Sequence, residues 1–226
     1  MVKHFHSLFY LLIIILFIGA VEIQSKPYSA FSIVGGIALP DDNLNNVYNS
    51  DFISTADSNS RNLALNKPDM LPGYSLNASL SFELSDKAIF FGGFGMAGFS
   101  TNKYELEEIE DGVPAGHIEI KQSFYSLNAG INYFLFSNDL SPYLIANLSY
   151  NFLAASLRTV QTSANLRLAN NPTDSRLGFT LGVGMEIPLS QFSFIVEGKY
   201  SNLNYIGKIS GENSKSMYII QIGFRF

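Results

Sequence analysis

The final segment of the chain, Ser216–Phe226, alternates between two sets of side chains. The apolar set is opposed by a mixed, mostly polar one: Tyr218, Ile220, Ile222, Phe224 and Phe226 against Ile219, Gln221, Gly223 and Arg225. Successive side chains of a β-strand point to opposite sides, so this period of two predicts a strand with one apolar face. The rest of the chain has to fold around such a strand.

The strand ends on an aromatic residue, Phe226. In this it resembles the closing strand of bacterial outer-membrane β-barrels, in which the terminal aromatic residue helps the barrel assembly machinery to recognise its client. The resemblance implies that Phe226 is an assembly signal. It also implies that the apolar face points outward to lipid, the reverse of a water-soluble sheet.

The N-terminal region has the pattern of a secretory signal peptide. Lys3 precedes an almost unbroken apolar run, Leu8–Ile18, and small residues follow it. The run is short for a membrane anchor, since a spanning helix needs roughly 20 residues. We expect cleavage near Ser25, with Ala20 as the second choice, so that residues 1–25 are the signal peptide and residues 26–226 one barrel domain.

Composition excludes several classes of protein. The 226 residues contain no Cys, so there is no disulfide framework. The net charge of −5 comes without a basic stripe, which argues against nucleic acid as a partner. Beyond the signal peptide no apolar run is long enough for a membrane helix, so any insertion into a membrane requires closed β-structure.

The alternation pattern predicts eight strands, each long enough for the 9–11 residues or so that a spanning strand needs. The strands are Tyr28–Leu39, Gly73–Leu84, Ala88–Tyr104, Ile118–Phe136, Pro142–Thr159, Ser175–Pro188, Phe192–Tyr205 and Ser214–Phe226. The third has the weakest pattern, because both faces of Ile89–Phe99 are apolar or glycine.

The connections between these strands alternate in length. Four are long or moderate: Asp41–Pro72, Glu105–Gly116, Val160–Asp174 and Ile206–Asn213. Three are short: Ser85–Lys87, Ser137–Ser141 and Leu189–Gln191. Outer-membrane barrels have tight periplasmic turns and longer external loops. The predicted fold class is therefore all-β, an eight-stranded antiparallel up-and-down transmembrane β-barrel.

Two motifs suggest chemistry that their context does not support. Gly93–Gly98 matches the glycine fingerprint of dinucleotide-binding folds, but no amphipathic helix follows it to receive a phosphate. We expect these glycines to thin the wall of a narrow barrel instead. An acidic cluster resembles a cation site only weakly and is expected to be a solvated loop tip: Glu105, Glu107, Glu108, Glu110 and Asp111.

The sequence provides no recognisable catalytic set. Some eight-stranded barrels are lipid-modifying enzymes that use a serine, a histidine and an acid. Once the signal peptide is removed, the remaining histidine is His117, at a junction between loop and strand beside Glu119. Nothing marks it as a base, so we expect no enzymatic activity, no cofactor and no metal site.

Six polar residues are predicted to face the barrel interior by parity: Glu83, Glu186, Glu197, Lys199, Gln221 and Arg225. Four of them come from three consecutive strands, and buried charges without partners cost several kcal/mol. We therefore expect an interior ion-pair network. At eight strands the interior is only wide enough to be filled by side chains, so the lumen should be plugged.

The whole mature chain, about residues 27–226, resembles the small outer-membrane β-barrel superfamily of OmpA-like and OmpX-like proteins. The resemblance implies location in the outer membrane of a Gram-negative cell, contact with its lipid and lipopolysaccharide, and external loops with a structural or adhesive role toward an unknown ligand. The main alternative is a soluble lipocalin-like carrier of an apolar ligand, which requires the apolar face to point inward. A small pore and a lipid-modifying enzyme are the remaining alternatives.

Overall fold

The computed structural model describes residues 29–41, 53–55, 63–66, 71–100, 102–108, 114–136, 140–162, 166–168, 173–207 and 214–226. Within them are twelve strands: β1 (Ser29–Pro40), β2 (Ile53–Thr55), β3 (Leu63–Asn66), β4 (Gly73–Ser85), β5 (Ala88–Gly98), β6 (Asn102–Glu108), β7 (Pro114–Phe134), β8 (Ser141–Thr162), β9 (Leu166–Leu168), β10 (Thr173–Pro188), β11 (Ser193–Ile206) and β12 (Ser216–Arg225). None of the residues described forms a helix with the length and hydrophobicity of a membrane span. The predicted signal peptide lies outside them.

Eight of the described strands close into an antiparallel barrel. Its order is β1, β4, β5, β7, β8, β10, β11 and β12, which pairs back with β1. The register of the closing pair runs from Ser32 opposite Arg225 to Pro40 opposite Met217. Beyond it, the backbone amides of Phe31 and Phe226 each donate to the other's carbonyl, at 3.0 and 2.8 Å. The predicted fold class is confirmed, and closure leaves no open edge around the barrel.

The faces of the barrel follow the predicted alternation, with the apolar face outward. Leu148 of β8 is 71% exposed, and the even-numbered residues of β12 from Tyr218 onward are exposed as well. Gln221 and Arg225, on the other face of β12, are buried. A lipocalin-like carrier would need the opposite arrangement, so the structure gives that alternative no support.

The third predicted strand owes its weak pattern to an apolar layer inside the barrel. In β5, Ile89 and Phe91 pack against a buried cluster contributed by neighbouring strands: Val34, Phe134, Tyr143, Ile145 and Ile195. Phe94, on the opposite face of β5, is exposed. Both faces of this strand are therefore apolar for different reasons, one packing in the interior and the other lying on the outer surface.

Glycines in the barrel wall make room for larger side chains opposite. A Cβ at Gly184 of β10 would overlap the ring of Tyr143, which is fully buried on β8. A Cβ at Gly95 of β5 would meet the side chains of Asn77 and Ser126. The motif Gly93–Gly98 thus lies within β5, and no helix follows it in residues 102–108 or 114–136. This is the wall-thinning role predicted for it.

The strands extend further on the loop side than predicted. β7 has 21 residues and β8 has 22, and β6 and β3 pair in turn alongside the start of β7. The predicted loop 105–116 is wrong in its bounds, because Glu105, Glu107 and Glu108 lie in β6. Backbone pairing with β7 and β3 holds these acidic residues in a strand. Glu110 and Asp111 lie outside the described residues.

Candidate functional site

The barrel interior carries two ion pairs among the described residues, both made by residues that parity had placed there. Lys199 Nζ lies 2.5 Å from Glu197 Oε2, both on β11. The guanidinium of Arg225 on β12 pairs with the Glu186 carboxylate on β10. All four side chains are at most 13% exposed. Because residues two apart on a strand share a face, Glu197 and Lys199 meet along one strand, whereas Arg225 reaches across β11.

Neutral polar groups complete the surroundings of the first pair. Tyr143 on β8 donates its hydroxyl to Glu197 Oε1 at 2.9 Å, and Lys199 Nζ donates to Gln221 Oε1 at 3.0 Å. The fully buried Gln221 also accepts from Asn77 Nδ2 at 3.1 Å and donates to Ser75 Oγ at 2.8 Å. Hydrogen bonds to a buried charge and its partners offset part of the cost of removing the charge from water.

This cluster includes residues that were not predicted as members of the interior network. Tyr143, Ser75 and Asn77 carry no charge. Parity predicts that a neutral polar residue faces the interior, but it does not show which of these residues bond to the ion pair. The signal that could have found Tyr143 is its position next to Pro142 opposite Gly184, since a glycine in a barrel wall implies a large side chain facing it.

The Arg225–Glu186 pair lies toward the end of the barrel where the short turns are. It borders a cavity of about 320 Å³ that also meets Glu83 and Asp86. Glu83 had been predicted as a member of the interior network, but it is exposed and takes part in neither of the two ion pairs found among the described residues. Parity predicts which face of the strand a residue lies on, but not how far it lies from the end of the barrel. Glu83 is two residues from the end of β4 and is therefore exposed at that end.

Toward the middle of the barrel the cavities are small. Two of about 40 Å³ each lie between the polar side chains, and Asn77, Asn128, Asn147 and Lys199 border both. Each has room for about one or two water molecules.

The other candidate residues form no site that the described residues support. His117 lies within β7, opposite Glu105 of β6, and not at a loop junction. It is half-buried, because β6 and β8 flank it on both sides. Among the described residues no group of three His, Asp or Glu side chains is placed to hold a metal ion.

Phe226 belongs to an aromatic cluster at the turn end of the barrel. Its ring lies 6.1 Å from that of Phe192, and Phe224 lies 5.4 Å from Phe192 and 5.7 Å from Phe194. All four rings are on the outer surface or half-buried. Aromatic girdles at the two rims of the apolar band are typical of membrane barrels.

The architecture and the outward apolar face define the class: the fold is that of integral outer-membrane β-barrels. No family model and no curated protein matches the chain. Solved structures do match it. The major outer membrane protein of Thermus thermophilus is similar at 12% identity with a TM-score of 0.52, covering 88% of this chain and 98% of that one.

Two other outer-membrane structures are similar at lower scores. Neisserial surface protein A matches at 15% identity and a TM-score of 0.47, over 87% of this chain and 97% of that one. Ail of Yersinia pestis, in complex with a heparin analogue, matches at 16% identity and a TM-score of 0.44, over 88% and 99%. Identities this low concern the fold alone.

Proposed function

We propose that the protein is an integral outer-membrane β-barrel with a closed polar lumen and a structural or surface-interaction role carried by its external loops. The observation that carries the proposal is the orientation of the barrel wall, which exposes large apolar side chains over its outer face while the charged side chains of Glu197 and Arg225 are buried inside. Such a surface is stable in lipid and would aggregate in water.

The lengths of the strands support display outside the cell. A spanning strand needs about 9–11 residues, and β7 and β8 are about twice that length. Their extra residues lie on the side of the long connections. β2 from the first long connection pairs with β9 from the third, so parts of two loops are joined into one surface. The partner of that surface is an unidentified external ligand.

The packing of the interior supports a closed lumen. The Glu197–Lys199 pair and the hydrogen bonds of Gln221 occupy the middle of the barrel, where the cavities hold only a few water molecules, and the Arg225–Glu186 pair lies toward the turn end. We expect the unaltered protein to be nearly silent in planar-bilayer recordings at neutral pH. Large, steady conductance would indicate a pore instead.

Fractionation tests membrane location. The protein should be recovered with the outer membrane, together with lipid and lipopolysaccharide, and its folded form in detergent should migrate differently from the boiled form on a gel. Insertion should depend on the barrel assembly machinery. Recovery in the soluble periplasmic fraction would contradict the proposal.

Protease treatment of intact cells tests the orientation. An epitope tag placed in residues 42–50, in the first long connection, should be removed by external protease. The matched control carries the same tag at the turn Ser85–Lys87 and should be protected until the outer membrane is permeabilised. The reverse pattern would invert the topology.

A further inference from the structure

An apolar layer crosses the barrel interior between its polar middle and the tight turns. This turn-side layer is the buried cluster described above together with the two side chains of β5 that pack on it: Val34, Phe134, Tyr143, Ile145, Ile195, Ile89 and Phe91. Its members come from five of the eight barrel strands. Two of the other strands have glycines facing it, because a Cβ at Gly184 would overlap Tyr143 and one at Gly223 would overlap Val34. The layer therefore extends across most of the bore.

A second apolar layer lies on the side of the long connections. This loop-side layer consists of Phe99, Phe124, Leu153 and Leu203, all at most 9% exposed. The rings of Phe99 and Phe124 meet edge to face at 5.9 Å, and Phe124 lies opposite Leu153 in the pairing of β7 with β8. Phe124, Leu153 and Leu203 also surround one cavity of about 20 Å³, so three strands contribute to the same packed unit.

The positions of the cavities show that each layer divides the lumen. Phe124 and Leu203 border the cavity of about 20 Å³ and also one of the two cavities of about 40 Å³ in the middle. At the other layer, Ile145 and Ile195 border the second middle cavity, whereas Phe134 borders the large cavity at the turn end. The polar middle therefore has an apolar layer on either side of it.

Two polar side chains pass beside these layers, and both are bonded to the barrel. Asn151 borders the cavities on both sides of the loop-side layer, and its Nδ2 donates to the carbonyl of Leu203 at 2.8 Å and to Ser149 Oγ at 3.0 Å. Arg225 borders a middle cavity and the turn-end cavity, and its guanidinium pairs with Glu186. Water that follows either side chain has to compete with these existing bonds.

We propose that the middle of the lumen is a sealed, water-holding chamber, closed by the two apolar layers in series. The chamber comprises the two cavities of about 40 Å³, which Asn77, Asn128, Asn147 and Lys199 border. An apolar constriction gates by dewetting, since water inside it lacks hydrogen-bond partners and an ion there loses its hydration. Opening one layer exposes the chamber to one side only, and an ion crosses only when both are open. This inference rests on the proposed closed lumen and assigns the barrier to named residues.

Conductance in planar bilayers tests whether the layers act in series. Phe124→Ala with Leu203→Ala opens the loop-side layer, and Phe134→Ala with Ile145→Ala opens the turn-side layer. Each pair alone should stay as silent as the parent, whereas the four substitutions together should produce conductance. Conductance of either pair alone, or silence of the folded fourfold variant, would overturn the inference. A conducting parent would instead contradict the proposed closed lumen.

A thiol reporter tests whether the chamber is sealed. The chain contains no Cys, so Ser126→Cys introduces a single one. Ser126 borders a middle cavity and accepts a hydrogen bond from Asn128 Nδ2 at 3.1 Å. The probe is 2-aminoethyl methanethiosulfonate, added to the full mature chain folded in detergent, with labelling followed by mass spectrometry. Because thiol modification requires access, either pair of substitutions should accelerate labelling by at least about tenfold. Labelling of the reporter in the otherwise unaltered barrel at the same rate would overturn the inference.

Two single substitutions keep the test readable where a double substitution prevents folding. Phe124→Leu keeps the layer apolar and is the matched control, so the reporter should be labelled as slowly as in the parent barrel. Phe124→Gln keeps much of the bulk but brings an amide that holds water, so labelling should be faster. Gel mobility before boiling checks that each variant is folded. Equal labelling rates in the folded Leu and Gln variants would refute the role of this layer as a seal.

Discussion

Lys199 shows how much of this interior depends on a single charge. Its ammonium neutralises Glu197 and donates to Gln221, which in turn holds Asn77 and Ser75 on β4. Removing the charge therefore disturbs three strands. The carboxylate of Glu197 would keep its bond from Tyr143 but lose its counter-ion in a site that is less than a tenth exposed.

We predict that Lys199→Met lowers the free energy of unfolding by about 3 kcal/mol, because it leaves a buried charge without its partner. Water entry around Glu197 should also raise the frequency of small openings in planar bilayers. The double variant Lys199→Met with Glu197→Gln removes both charges and should regain most of the stability. Equal stability of the single and double variants in urea titrations would contradict this account.

Two glycines provide a matched test of wall thinning. A Cβ at Gly184 would overlap Tyr143, whereas at Gly198 nothing lies within 4 Å. Gly184→Ala should cost about 1–3 kcal/mol through overpacking. Gly198→Ala should be neutral or stabilising by up to about 1 kcal/mol, because it lowers the entropy of the unfolded chain. Unfolding in urea measures both, and similar costs at the two positions would argue against the packing explanation.

At the level of elements, the alternation of apolar and polar residues predicted the eight strands of the barrel wall. The outer face of each strand meets lipid and the inner face meets polar groups, so the sequence of each strand alternates with a period of two. Elements outside the membrane have no such constraint. β2, β3 and β9 are three or four residues long and were not predicted, and the acidic second half of β6, from Glu105 to Glu108, was taken for a loop. Their strands depend on backbone pairing, which side-chain patterns do not report.

The candidate site was also predicted only in part: its charged residues were found, but its neutral residues and the cavity were not. Charged residues on the inner face were identifiable, because a buried charge demands a partner. The depth of each residue depends on the tilt and stagger of the strands, and this is why Glu83 lies at the rim. The neutral residues around Gln221, and the cavity beside Arg225, follow from the packing of several strands together and have no signal in one strand.

The closing pair of strands leads to a prediction for Phe226. Deleting it removes its backbone bonds with Phe31 and its ring contact with Phe192. We expect much less folded protein in the outer membrane of cells, scored as the fraction with altered gel mobility before boiling. Phe226→Tyr keeps both the backbone and the ring and should assemble almost normally. Normal assembly of the deletion would fit a soluble barrel better.

For the whole molecule, the exposed apolar band on the outer surface predicts that the barrel is surrounded by the hydrocarbon of a membrane. Leu148→Arg places a charge at the middle of the apolar band and should cost about 2–4 kcal/mol when the protein is folded in lipid vesicles. Leu189→Arg, in the tight turn after β10, should cost at most about 1 kcal/mol because the residue lies near the interface. Equal costs in reversible urea titrations would mean that this band does not face hydrocarbon.

The pairing of β1 with β12 also determines when the barrel can form. β1 and β12 are the first and the last strands of the barrel in sequence order, so the contact that seals the wall is available only after all eight strands have been synthesised and exported. Loop-closure entropy makes such distant pairing slow. Until that moment both terminal strands have free edges and apolar faces in an aqueous compartment, where they are prone to aggregate. The chain therefore has to reach the membrane and close before it aggregates. We expect the yield of folded barrel to depend on periplasmic chaperones that shield the open sheet.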